Sequence, residues 1–178
     1  MKLKTIDLTL CGLFAAILAV CSWIQIPGPV PFTLQTFAVF AALGLLGGRR
    51  GTIAIGVFLL LGLFGVPVFA GFKGGPSALF GVTGGYLLGF LLSGLCVWFA
   101  EARFGASLPV ILISAVVGLL LCYTFGTAWF LVVYTHANGA ISLGKALMLC
   151  VIPFLPFDAI KIGLAVAVRQ ALRKYVPA

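Results

Sequence analysis

Apolar runs recur along this chain at residues 6–24, 34–47, 52–66, 79–100, 109–134 and 143–174, the last interrupted at Pro153 and Pro156. A helix needs about 20 mainly apolar residues to cross the hydrocarbon core of a bilayer, and fewer when it packs among neighbours. Six such segments in 178 residues leave little else to fold. Charge is scarce to match: Asp, Glu, Lys and Arg make up 8% of the chain, against roughly 25% in soluble domains. A water-facing surface cannot be coated with so few charges. The spacing predicts an all-α integral membrane protein, with residues 1–178 forming one domain of six transmembrane helices. Disordered and secreted disulfide-stapled classes are excluded.

The few charges then give the direction of crossing. Eleven Lys and Arg face three Asp and Glu, for a net charge of +8. In a soluble protein such an excess points to nucleic acid; here the cations sit at the ends of apolar runs, so no nucleic-acid partner is expected. With the N-terminus in the cytoplasm, Lys2, Lys4, Arg49, Arg50, Arg103, Arg169, Arg173 and Lys174 all fall on that side. Lys73 and Lys145 fall outside, and Lys161 lies within a span. That asymmetry obeys the positive-inside rule, and both termini are expected in the cytoplasm. Trp23 and Tyr134 near outer ends, with Trp98 and Tyr175 near inner ends, fit aromatic belts.

Several local patterns are decoys. Lys2, Lys4 and the run behind them resemble a signal peptide, and Leu18-Ala19-Val20-Cys21 resembles a lipoprotein cleavage box. Val20 stands where a small residue is needed, and the run is long enough to span, so it reads as the first helix. The stretch from Gly139 to Ala146 matches most of a phosphate-binding loop, but Ala146 replaces the hydroxyl residue that would reach magnesium and no strand precedes it. Cys11, Cys21, Cys96, Cys122 and Cys150 lie in apolar runs without metal-ligand spacing. His136 reads as part of a turn built on Asn138-Gly139. No cofactor or metal is expected.

Glycine spacing carries packing information. Gly81, Gly85 and Gly89 form one ridge, and Gly118, Cys122 and Gly126 another; small residues four apart let helices approach closely in lipid. On the first span Gly12 with Ala16, and Ala15 with Ala19, form two overlapping registers that suit either internal packing or docking of another membrane protein.

The sixth span holds the residues that lipid tolerates least. Asp158 and Lys161 share a helix face three positions apart, just after Pro153-Phe154-Leu155-Pro156-Phe157. Insertion scales charge about 2.5–3.5 kcal/mol for one such residue at the membrane centre. A pair that merely neutralises itself is the plain alternative. A polar cavity explains more, because the prolines also free backbone groups that are tolerated only against protein or a cavity. Other polar residues converge on the same outer half. The proline-rich loop 25–31 leads into Thr33, Gln35 and Thr36. The loop 65–77 mixes glycines with Phe69, Phe72 and Ser77, as a lid over a pocket would. Thr83-Gly84-Gly85-Tyr86 follows, exposing backbone beside a phenol.

These residues resemble a known family. Pro67-Val68-Phe69-Ala70-Gly71, Gly74-Gly75-Pro76, Thr83-Gly84-Gly85-Tyr86-Leu87-Leu88-Gly89-Phe90 and Pro156-Phe157-Asp158-Ala159-Ile160-Lys161, in that order on a six-span plan, resemble BioY, the biotin-binding S component of energy-coupling factor transporters. The likeness covers nearly the whole chain. It implies a six-helix S-component bundle in the bacterial cytoplasmic membrane that captures biotin near its outer face. It also implies a membrane coupling protein and two cytoplasmic ATPases as partners, the S component toppling during delivery.

On that resemblance, Asp158 accepts from the ureido N–H groups of biotin, and Lys161 meets either the ureido carbonyl or the valerate carboxylate. Gln35, Ser77 and Tyr86 supply neutral hydrogen bonds, and Phe69, Gly71 and Phe72 enclose the sulfur ring. Gly12, Ala15, Ala16 and Ala19 become candidates for docking the coupling protein. The chain departs from the family pattern at Ser77, where an asparagine is expected. Competing classes are an S component for another vitamin or heteroaromatic acid, a membrane enzyme using Asp158, and a small channel or scaffold. The enzyme reading lacks a second membrane carboxylate, a metal cluster and a Ser/His arrangement.

Overall fold

The computed structural model describes residues 4–28 and 30–175; Lys2 and Pro29, invoked above, lie outside the described residues. Helix α1 (Thr5–Trp23) begins where Asp7, at its third position, accepts the Lys4 amide hydrogen at 2.8 Å. Its buried stripe is Cys11, Phe14, Ala15, Leu18, Ala19 and Ser22, with Leu8, Leu13 and Val20 left exposed. A two-residue hairpin follows, β1 (Gln25–Ile26) against β2 (Phe32–Thr33). It delivers the chain into α2 (Gln35–Leu46), in which every residue except Phe37 is buried. A helix apolar all round is a core helix, and α1 and three later helices pack against α2.

Helix α3 (Gly48–Leu63) follows after one residue, Gly47, whose φ of 83° makes the reversal. A Cβ on Gly48 would overlap the Trp98 backbone, so glycine there brings α3 against α5 (Gly84–Phe104). The glycine ridges pack inside the bundle, except that Gly81 lies before the start of α5 and is not on its ridge. A Cβ on Gly126 of α6 (Leu108–Asn138) would overlap the Tyr86 ring, and one on Gly89 would overlap Cys122. Ser93 completes the seam by donating to the carbonyl of Gly118 at 2.6 Å.

Two helix boundaries depart from the sequence reading, and a third break follows it. The run 79–100 is not one helix: a single turn, α4 (Pro76–Leu79), is followed by a break, and α5 starts at Gly84. The Gly81 carbonyl accepts the Gly84 amide hydrogen and that of Trp129 Nε1, each at 3.0 Å, which ties the break to α6. Helix α6 runs on through His136 to Asn138, where Gly139 at φ 90° ends it, so the histidine sits in a last helical turn and not in a loop. The sixth run is broken as its prolines require, into α7 (Leu143–Cys150) and α8 (Leu155–Leu172) with a bend of 41°, and ends in a short 3-10 turn, Arg173–Tyr175.

Among the described residues, α1, α5 and α6 are long and apolar enough to cross a membrane, as is the bent α7–α8 pair if taken as one span. Phe99, Ile113, Val132 and Ile160 are each more than half exposed on outward helix faces. A soluble monomer rarely shows so much apolar surface, and a bilayer covers it.

The sparse charges tie one end of the bundle together. Arg50 pairs with Asp7 at 3.1 Å, joining α3 to α1. Glu101 accepts the Gly48 amide hydrogen, joining α5 to α3. Arg169, read from sequence only as a topology signal, is buried and donates to the carbonyls of Gly44 and Ala106 at 3.1 and 3.3 Å. The opposite end carries the hairpin and the loop from Phe64 to Gly75, and there a cavity opens.

Candidate functional site

Helix α8 restarts after the break with Pro156 in its first turn, a position where a missing N–H costs nothing. Asp158 follows in the same turn, where the positive end of the helix dipole favours a carboxylate. Lys161 sits one turn on, and the two side chains pair at 2.7 Å, at 2% and 5% exposure. A buried pair needs hydrogen bonds beyond its own contact, and here both members have them. Tyr123 of α6 donates to Asp158 Oδ2 at 2.6 Å. Lys161 Nζ donates to the Thr33 carbonyl at 2.8 Å and lies over the Phe32 ring, 4.1 Å from its centroid. The hairpin therefore presents a carbonyl and an aromatic face to the ammonium, a role for it that residue types alone do not reveal.

Above this pair is a cavity of about 690 Å³, within the range of small-molecule sites. Asp158, Lys161 and Tyr123 form its floor. Pro27, Val30 and Pro31 of the stiff first loop make one wall; Phe69 and Gly71 of the second loop make another. Gln35, Ser77 and Tyr86 also line it, so seven of the eight residues expected to bind a ligand converge on one space. Phe72 is the exception. It turns outward and stacks on Trp23 at 4.9 Å, in a left-handed backbone conformation (φ 56°) that the stacking holds in place.

Two lining groups have informative partners. The Tyr86 hydroxyl is 3.0 Å from Thr127 Oγ1, which fixes its direction. Gln35 is 4% exposed and its Nε2 has no hydrogen-bond partner among the described residues. A buried donor left unpaired costs free energy unless something satisfies it, so this amide is suited to a ligand acceptor. The second loop is anchored at several points. Phe69 and Lys73 exchange backbone hydrogen bonds at 2.9 and 3.3 Å, Trp23 Nε1 donates to the Pro67 carbonyl at 2.9 Å, and the Phe69 ring packs edge-on to Phe58.

The candidate docking residues separate by face. Ala15 and Ala19 are buried within the chain, which leaves Gly12 and Ala16 on the outward side of α1. Internal packing claims one register and the outer surface keeps the other.

The family model described as "BioY family" matches residues 1–178. The chain belongs to the BioY family. Relatives agree along its length. A Thermotoga maritima protein described as "Biotin transporter BioY" is 42% identical over 92% of this chain and 93% of its own. A Pyrococcus horikoshii protein described as "Probable biotin transporter BioY" is 33% identical over 96% of this chain and 98% of its own. The fold of this BioY-family chain is likewise similar to a crystal structure described as the S-component for biotin from an ECF-type ABC transporter. That match has a TM-score of 0.80 and 30% identity, covering 97% of this chain and 95% of the other.

Proposed function

We propose that this chain is the substrate-binding membrane subunit of a biotin uptake transporter and that the cavity over Asp158 and Lys161 holds the vitamin. The observation that carries the reading is the ion pair held at the floor of that cavity with acceptor capacity to spare on Asp158, in a BioY-family chain. Biotin offers a planar ureido group with two N–H donors and one strong acceptor, an apolar sulfur ring, and a carboxylate on a flexible chain. Asp158 accepts from the ureido N–H groups. The unpaired Gln35 amide and the Tyr86 and Ser77 hydroxyls supply neutral contacts, while Phe69 and Leu87 enclose the sulfur ring.

The protein is a transporter subunit and not an enzyme, as its family is. In this reading α1, α2, α3, α5, α6 and the broken α7–α8 pair make six crossings of a bacterial cytoplasmic membrane, within a single domain. The cationic end joined by Arg50, Glu101 and Arg169 faces the cytoplasm, and both termini lie there. Biotin enters from the cavity end. A membrane coupling protein and two cytoplasmic ATPases supply the energy for delivery, the former meeting the outward face of α1 at Gly12 and Ala16.

Equilibrium binding of labelled biotin to the purified protein, with a panel of vitamins as competitors, tests the substrate. Unlabelled biotin alone is expected to displace the label at low concentration. Binding of another vitamin in place of biotin overturns the assignment.

A further inference from the structure

The formal charges in the cavity lining are Lys73, Asp158 and Lys161. Asp158 and Lys161 cancel each other. The Lys161 ammonium is also enclosed, with the Asp158 carboxylate, the Thr33 carbonyl and the Phe32 ring around it. A second carboxylate at that ammonium would crowd against Asp158, and two acids so close cannot both stay ionised without cost. The floor is therefore built for a neutral, planar hydrogen-bonding group. What remains is the charge of Lys73. Among the described residues it enters no ion pair, and it lines the cavity while remaining exposed.

Its position is held by the backbone. The amide and carbonyl of Lys73 both bond to Phe69, closing a tight loop around Gly71. Gly71 adopts φ +72°, and a Cβ there would come 3.2 Å from Gln25 Nε2 and 3.9 Å from Lys73 Cε. The ammonium stem and the Gln25 amide thus flank one glycine, putting a cation and a neutral donor side by side at the rim.

We propose that Lys73 is the carboxylate-recognition residue of this cavity, with Gln25 as a second donor, so that the ligand binds ring-first and its acid group ends at the rim. The assignment rests on the biotin reading above. It also makes Lys73 the residue that distinguishes the free acid from its neutral derivatives, since the floor contacts are common to both.

The experiment compares equilibrium binding of biotin and of biotinamide, which keeps the ring and replaces the acid by a neutral amide, to wild type, Lys73→Gln and Lys73→Arg. Wild type is expected to prefer biotin. Lys73→Gln is expected to lose about tenfold in affinity for biotin, the scale of one charge-assisted hydrogen bond, with little change for biotinamide. Lys73→Arg is expected to retain the preference. Raising the ionic strength is expected to weaken biotin binding to wild type more than to Lys73→Gln, because an exposed pair is screened. Equal losses for both ligands in Lys73→Gln overturn the proposal, as the side chain then only shapes the rim. Unchanged biotin affinity overturns it too. Wild type binding neither ligand removes the biotin reading and this assignment together, whereas strong binding of both with no preference removes this assignment alone.

Discussion

Tyr123 on α6 donates its phenolic hydrogen to Asp158 Oδ2 on α8 across 2.6 Å, while Lys161 holds the other carboxylate oxygen at 2.7 Å. One carboxylate is thus fixed from two helices before any ligand arrives. Each of its oxygens still has a lone pair to offer, so the group is both a structural tie and a preorganised acceptor.

Removing the phenol separates those roles. Tyr123→Phe strips one donor from a buried carboxylate, a loss of about 1–3 kcal/mol. The ligand-free protein is expected to melt at lower temperature in detergent. Saturating biotin is expected to restore part of the difference, because ureido N–H groups replace the missing donor. A melting temperature unchanged from wild type contradicts the bond's importance.

Gln35 gives the opposite sign. Its buried Nε2 has no partner among the described residues, so an apolar residue of similar length relieves a cost in the empty state. Gln35→Met is expected to raise ligand-free thermal stability and to weaken biotin binding. Lower stability in the variant would show that the amide has a protein partner.

The α5–α6 seam predicts a contrast between glycines. A Cβ at Gly126 meets the Tyr86 ring, and overpacking of that kind costs about 1–3 kcal/mol. Gly126→Ala is expected to lower both stability and biotin affinity, since it displaces a lining residue. Gly163→Ala on exposed α8 surface has nothing within 4 Å and is expected to leave both unchanged or to raise stability slightly. Thermal melts and titrations of the two variants decide it.

On α1, Gly12→Leu and Ala16→Leu alter the outward register alone. Co-purification with the coupling protein proposed above is expected to fall in both, with biotin binding by the isolated subunit unchanged. Reduced binding by the isolated subunit would mean that this face also supports the cavity.

Much of the site is legible in the chain because charge in an apolar span is so conspicuous. Asp158 and Lys161 stand out by cost, and the prolines before them announce the break that leaves Asp158 in a first helical turn. The partners are harder to read. Thr33 serves Lys161 through its backbone carbonyl from 128 positions away, and a carbonyl carries no residue signature. Tyr123 is visible as a phenol within an apolar run, four positions from Leu119 on the same face, yet nothing local ties it to Asp158. Arg169 shares the buried face of Asp158, Ile162 and Ala165; that periodicity distinguishes it from the topology cations, whereas its position near a helix end alone does not. Phe72 and Phe69 are alike by type and loop, and only the left-handed turn at Gly71 and Phe72 sends one ring in and the other out.

The most direct test is the equilibrium affinity of labelled biotin for wild type, Asp158→Asn and Lys161→Ala, with folding of each variant checked by its melting profile. Tight binding by wild type and a loss of about tenfold or more in each folded variant is the expected result. Folded variants that bind biotin as wild type does would contradict the account.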